Sequence, residues 1–198
     1  MKSKFKTKIL ALSLLAFSAV NVSAAENPFE GFFLGLNVST VGAITEVTGA
    51  TNADLGQQTI VPAIEASYAY GLTNEISLGV TGTYDLSNTQ GGSSGANSFK
   101  GKNHYSINFK PGYLVSPNTM LFGLVGYHSI RGTLTTASDS STQNANGVGV
   151  GFGLQTLVSK NIYVKAEAQH VMYSSESSGG STFKPNETLG TLGVGFRY

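Results

Sequence analysis

The sequence predicts an all-β fold, an eight-stranded antiparallel transmembrane β-barrel of the up-and-down kind, and three observations carry that prediction. Eight segments alternate apolar with small or polar side chains. Their connectors are alternately tight and long. The last segment, Leu192-Gly193-Val194-Gly195-Phe196-Arg197-Tyr198, is apolar on one face and closes on an aromatic. A period of two sends successive side chains to opposite faces of a strand; in a membrane barrel one face meets lipid and the other the lumen.

Residues 1–25 read as a secretory leader. Lys2, Lys4, Lys6 and Lys8 precede an apolar run over 9–20, and Val22-Ser23-Ala24-Ala25 supplies small residues at the exit. The apolar run is too short for a typical spanning helix. Cleavage is expected after Ala25, with Ala24 the alternative, leaving residues 26–198 as one barrel domain.

The first strand, over 30–42, sends Phe32, Leu34, Leu36 and Val38 outward. The second, over 59–71, sends Ile60, Pro62, Ile64, Ala66, Tyr68 and Tyr70 outward and Glu65, Ser67 and Ala69 inward. After a tight turn at Thr73-Asn74, the third, over 75–86, alternates Ile76, Leu78, Val80 and Tyr84 with Ser77, Gly79, Thr81, Thr83 and Asp85. The fourth, over 102–115, opposes Tyr105, Ile107, Phe109 and Tyr113 to Ser106, Asn108, Lys110 and Gly112. Ser116-Pro117-Asn118 turns it into the fifth, over 119–132, where Met120, Phe122 and Leu124 compete with Leu121, Val125 and Tyr127 for the outer face; the second set is assigned outward. The sixth, over 147–158, alternates Val148, Val150, Phe152 and Leu154 with glycines and Gln155. The seventh, over 162–173, opposes Ile162, Val164, Ala166 and Ala168 to Tyr163, Lys165, Glu167 and Gln169. The remaining connectors, 43–58, 87–101, 133–146 and 174–187, are long, polar and rich in Gly, Ser, Thr and Asn, and are expected to be extracellular loops opposite short periplasmic turns.

Composition narrows the function classes. Four of the 12 basic residues lie in the leader, so residues 26–198 carry 8 basic against 11 acidic groups, a net −3, with no basic patch for nucleic acid. The chain has no cysteine, which removes lipoprotein anchoring, disulfides and thiolate chemistry. After the leader no apolar run reaches the roughly 20 residues a spanning helix needs, so a membrane passage must be a barrel. Outward aromatics fall into two expected girdles, Phe32, Tyr68, Tyr70, Tyr113, Phe196 and Tyr198 near the tight turns and Tyr84 and Tyr105 near the long connectors. A secreted soluble barrel with its apolar face inward is the alternative that periodicity leaves open; the girdles, the closing aromatic and the connector asymmetry favour the membrane.

Taken together, the closing run Leu192 to Tyr198 and the strand Tyr163-Val164-Lys165-Ala166-Glu167-Ala168 resemble the small bacterial outer-membrane β-barrel superfamily, which includes the transmembrane domain of outer-membrane protein A, outer-membrane protein X and the opacity-type surface proteins. The resemblance covers residues 26–198. It implies residence in the outer membrane of a Gram-negative bacterium, contact with outer-membrane lipid and lipopolysaccharide, and insertion by the barrel-assembly machinery through Leu192, Val194, Phe196 and Tyr198. Unlike in outer-membrane protein A, no periplasmic domain is expected after the barrel, so peptidoglycan anchoring is not implied.

Eight strands enclose a lumen just wide enough for side chains to fill or for one small ligand, whereas wide aqueous pores need about sixteen. Glu65, Lys110, Lys165 and Glu167 are expected inside, with Asp85 and Arg197 nearer the rims, as a polar plug or as the ion pairs of a narrow gated conduit. His104 and Ser106 share the luminal face in a His-x-Ser arrangement with no evident acid partner, so an enzyme is not expected and a lipid-modifying activity is the most distant alternative. His128 and His170 lack metal-ligand spacing and are assigned to the rim or girdle; no cofactor or metal is expected. The glycines over 147–153 are expected to relieve crowding in the lumen. The expected function is structural or surface-interactive, through four long extracellular loops, by a monomer whose ligand or receptor the sequence does not name.

Overall fold

The computed structural model describes residues 27–48, 53–94, 97–135, 140–174, 176–178 and 181–198; the leader assigned to 1–25 lies outside them. The strands are β1 (Gly31–Thr48), β2 (Ala53–Gly71), β3 (Ile76–Asp85), β4 (Thr89–Ser94), β5 (Asn97–Ser116), β6 (Thr119–Thr135), β7 (Ser140–Leu157), β8 (Ile162–Tyr173), β9 (Glu176–Ser178) and β10 (Ser181–Arg197). β4 pairs with β5 beyond the part that β3 occupies, and β9 pairs with β10 beyond the part that β8 occupies. Each therefore continues its predecessor after a short break, and the sheet is an eight-stranded barrel in which β1 also pairs with β10. Every pairing is antiparallel between neighbours in sequence, apart from the seam. Among the described residues no helix is long and apolar enough to cross a membrane.

At the seam, β1 and β10 pair from Phe33 with Arg197 to Thr48 with Thr182. The backbone N–H of Tyr198 donates to the Phe32 carbonyl at 2.9 Å. Gly31 takes φ 118°, and a Cβ there would lie 2.7 Å from the Tyr198 carbonyl oxygen, so only glycine lets the first strand start against the end of the last.

Face assignments follow the alternation, including the contested fifth segment. Leu121, Val125 and Tyr127 are exposed, and Met120, Phe122 and Leu124 are buried. The long connectors, however, are not loops. β1 runs to Thr48 and β2 begins at Ala53, β5 begins at Asn97, β6 runs to Thr135 and β7 begins at Ser140. The barrel wall extends into four hairpins over segments rich in Gly, Ser, Thr and Asn, whose few apolar residues are too scattered to make an alternation from which a strand could be read.

Two tight turns share one chemistry. In Leu72-Thr73-Asn74-Glu75-Ile76 the Thr73 hydroxyl accepts from the N–H groups of Glu75 and Ile76 at 3.2 and 3.0 Å. In Val158-Ser159-Lys160-Asn161-Ile162 the Ser159 hydroxyl accepts from those of Asn161 and Ile162 at 3.4 and 3.1 Å. A short hydroxyl that mimics a backbone acceptor closes the turn without a long connector.

Candidate functional site

The interior is the candidate site, and it is layered. Toward the tight turns, Phe29, Phe33, Met120, Phe122, Leu124, Leu157 and Tyr163 form one apolar cluster. Toward the hairpins, Val41, Val61, Ile130, Val171, Tyr173 and Leu189 form another. Between them lies the polar layer. The polar plug expected from sequence is thus confined to the middle of the lumen; the inward residues turn apolar toward both mouths, where the barrel is sealed.

The lower seal includes a segment that strand patterning did not address. Asn27 and Pro28 open a turn, favoured positions for these residues, closed by the Glu30 N–H donating to the Asn27 carbonyl at 3.0 Å. The Asn27 amide donates to the Thr73 carbonyl at 2.8 Å, and its side-chain oxygen accepts from the Phe29 N–H at 2.9 Å. Phe29 is thereby turned into the barrel and fully buried.

In the polar layer Lys165 Nζ bonds Glu65 Oε2 and, at 2.8 Å, Glu167 Oε2. The Asn37 amide donates to the same Glu65 oxygen at 3.0 Å. Lys110 does not pair with a carboxylate, as the conduit reading required. Its Nζ donates to Gln155 Oε1 at 2.7 Å and stands 4.1 Å from the centroid of the Phe122 ring. Arg197 does not join the luminal network either: its Nε donates to the Glu30 carbonyl at 3.1 Å, at the rim. Fully buried ions are tolerated only when paired and hydrogen-bonded; Lys165 pairs both carboxylates at mid-lumen, while Glu65 Oε1 is buried without a hydrogen-bond partner.

A second chain occupies the hairpin side of this layer. The Gln169 amide donates to Asn108 Oδ1 at 3.0 Å, and the Asn108 amide donates to Ser106 Oγ at 3.0 Å. The same Gln169 nitrogen lies 3.1 Å from His128 Nε2, which must then accept. His128 Nδ1–H accordingly donates to His104 Nε2 at 3.1 Å, and His104 Nδ1–H donates to Asp85 Oδ2 at 2.9 Å. The two imidazoles are stacked, with centroids 5.3 Å apart. His128 is therefore luminal and buried, not a rim residue, whereas His170 is exposed and 3.0 Å from the Thr188 hydroxyl. His104 has the acid partner that the sequence did not reveal, because Asp85 reaches it only through the pairing of β3 with β5.

Large residues in the lumen stand against glycines. A Cβ on Gly149 would lie 2.4 Å from His128 Nε2, one on Gly153 2.5 Å from Phe122 Cζ, and one on Gly147 2.9 Å from Tyr173 Cδ1. The luminal glycines of β7 make room for bulky neighbours, as expected. Among the described residues the lumen holds a polar cavity of about 20 Å³ lined by Asn37, Glu65, Thr81, Asp85, His104 and their neighbours, and one of about 10 Å³ beside Phe29 and Ser77. A single water needs roughly 10–15 Å³. Among the described residues no group of three or more His, Asp or Glu is placed to hold a metal ion.

Outside, Phe32, Tyr68, Tyr70, Tyr113, Phe196 and Tyr198 are all exposed toward the tight-turn end, with Phe32 and Tyr68 rings 4.7 Å apart. Tyr84 and Tyr105 are exposed toward the hairpins and are direct register partners. Tyr127 joins them, its ring 6.5 Å from that of Tyr105. From Tyr105 to Tyr113 the rise is about 20 Å at the usual strand rise and tilt, close to the ~25 Å apolar band of outer-membrane barrels. Leu192, Val194 and Phe196 are exposed on the outer face of β10, and Tyr198, just past its end, is exposed as well.

The chain matches the family described as outer membrane protein beta-barrel domain over residues 9–198. Neisserial surface protein A aligns with a TM-score of 0.58 at 16% identity, covering 85% of this chain and 98% of that one. The attachment invasion locus protein Ail of Yersinia pestis aligns at 0.51 and 16% identity, covering 85% and 99%, and OprG of Pseudomonas aeruginosa at 0.50 and 9%, covering 85% and 96%. At these identities the likeness is one of fold. No curated protein matches the chain.

Proposed function

The chain belongs to the outer membrane protein β-barrel domain family, and from that premise we propose that it is a closed, non-catalytic surface protein of the bacterial outer membrane whose four hairpins contact an extracellular ligand. The outer-membrane location and the barrel follow from the family; the surface role is the proposal. The observation that carries it is the pair of apolar seals around an ion-paired layer, which leaves cavities of about 20 and 10 Å³. A lumen filled in this way has no room for a solute, while β1, β2, β5, β6, β7 and β10 continue past the Tyr84–Tyr105 ring as polar hairpin arms.

Short turns and both chain ends then face the periplasm, the hairpins face outward, and the protein acts as a monomer. Leu192, Val194, Phe196 and Tyr198 are read by the barrel-assembly machinery. The absence of catalysis is supported at Ser106, whose hydroxyl accepts from Asn108 and lies within the sealed lumen away from any acyl chain. A nucleophile needs both its base and substrate access.

A narrow gated conduit is the second reading, favoured by Lys165 bridging two carboxylates at mid-lumen. Planar-bilayer recording separates the two. The surface reading expects no single-channel steps from the wild type or from Lys165→Ala; steps in the wild type that change size or open probability in the variant would establish the conduit. Replacing the four hairpins with short turns is expected to abolish surface binding and leave the barrel folded.

A further inference from the structure

β5 carries an irregularity that neither the lumen nor the seam requires. Between Lys102 and Tyr105 its register against β6 shifts. Asn103, at that point, takes φ 52°, and among the described residues it is the one non-glycine at positive φ. A bulge adds one residue to one strand, and a one-residue slip exchanges the faces of all that follows. Counted back from the outward Tyr105 by strict alternation, Lys102 and Lys100 would point into the lumen. With the bulge, Lys102 stands opposite Arg131 and Lys100 opposite Thr133. That is the outer face of β6, continued from Tyr127, where Arg131 Nε donates to Asn144 Oδ1 at 3.2 Å. Lys100, Lys102 and Arg131 are all exposed.

Like charges directly opposite one another across a ladder are destabilising, and among the described residues none of these three cations has a carboxylate partner. A strained backbone that holds such a pair on the outside is accounted for when an anion sits against it. Position identifies that anion. Lys102 and Arg131 lie one outward rung beyond Tyr105 and Ser129, about 7 Å further along the strand, on the hairpin side of the Tyr84–Tyr105–Tyr127 ring. Interfacial aromatics sit at headgroup level, and basic groups there meet lipid phosphate.

We infer that Lys100, Lys102 and Arg131 form a binding site for the phosphate groups of an outer-leaflet lipid, lipopolysaccharide, and that the bulge at Asn103 presents the two lysines to it. The inference rests on the barrel spanning the membrane with its hairpins outside, and is independent of what the hairpins bind.

The test reconstitutes the folded protein in phosphatidylcholine nanodiscs and titrates it with purified lipopolysaccharide, with the same lipid dephosphorylated, and with inorganic phosphate. The wild type is compared with K100Q/K102Q/R131Q and with K160Q, which changes charge in a tight turn at the opposite end. The triple variant is expected to lose at least tenfold in affinity for lipopolysaccharide, K160Q to lose none, and the dephosphorylated lipid to bind both weakly. N103G, which tolerates the positive φ, is expected to bind as the wild type does, and deletion of Asn103 to reproduce the triple variant's loss. Undiminished binding by the triple variant overturns the inference, as does inorganic phosphate binding as tightly as the lipid. Should the deletion not fold, the triple variant decides alone. Protease shaving of intact cells reports separately which side the hairpins face, so an inverted barrel is distinguished from a missing site.

Discussion

Lys165 is the residue on which the mid-lumen charges depend, since it bonds both Glu65 and Glu167. Removing one member of a buried ion pair strands its partner in a low-dielectric interior. Lys165→Ala is therefore expected to lower unfolding stability by about 3–5 kcal/mol, read as a shift of the urea midpoint for the protein folded in lipid vesicles. A variant as stable as the wild type would show that Lys165 is not what compensates the two carboxylates. The positions of Glu65, Lys165 and Glu167 inside the barrel were legible from alternation. The pairing of Lys110 with Gln155 was not, because those side chains meet across the lumen from strands whose approach depends on closure. Tyr163 makes the same point: it is fully buried against Gly35 and Gly195, where added Cβ atoms would lie 2.3 Å from its hydroxyl oxygen and 2.6 Å from its ring, respectively. No local pattern in the chain associates those three residues.

Two elements do more than their sequence patterns announce. The turn at residues 27–30 closes the lower mouth with Phe29, so Phe29→Ala is expected to cost about 3–5 kcal/mol, the usual range for a fully buried aromatic. The same vesicle unfolding assay measures it, and an exposed control such as Phe32→Ala should cost less. Its turn chemistry, Asn27 followed by Pro28, was present in the sequence, but nothing there indicated what the turn covers. The seam element makes a separate prediction. Tyr198 donates its N–H to Phe32 across the closure, and its aromatic ring stands 5.4 Å from that of Phe196. Deleting Tyr198 is expected to slow assembly into the outer membrane severalfold, followed in cells by the accumulation of unfolded protein; unchanged insertion would remove it as an assembly determinant.

For the molecule as a whole, an antiparallel wall closed on itself by the pairing of β1 with β10 should resist detergent. In SDS the unboiled protein is expected to migrate faster than the boiled one and to fractionate with outer membranes; identical mobilities would contradict a closed barrel. The sequence by itself determined the strand faces, the tight turns and the entry of Glu65, Lys110, Lys165 and Glu167 into the lumen. All of these depend on a period of two and on residue type, which are local properties. Only the tertiary structure decided that the long polar connectors are hairpin arms, that the lumen is sealed by apolar layers, and that Asp85, His104 and His128 form one chain. It alone placed Lys100 and Lys102 outside. The physical reason is common to them all: barrel closure brings together residues far apart in the chain, and a single bulge reverses the faces of everything beyond it, neither of which leaves a mark on local periodicity.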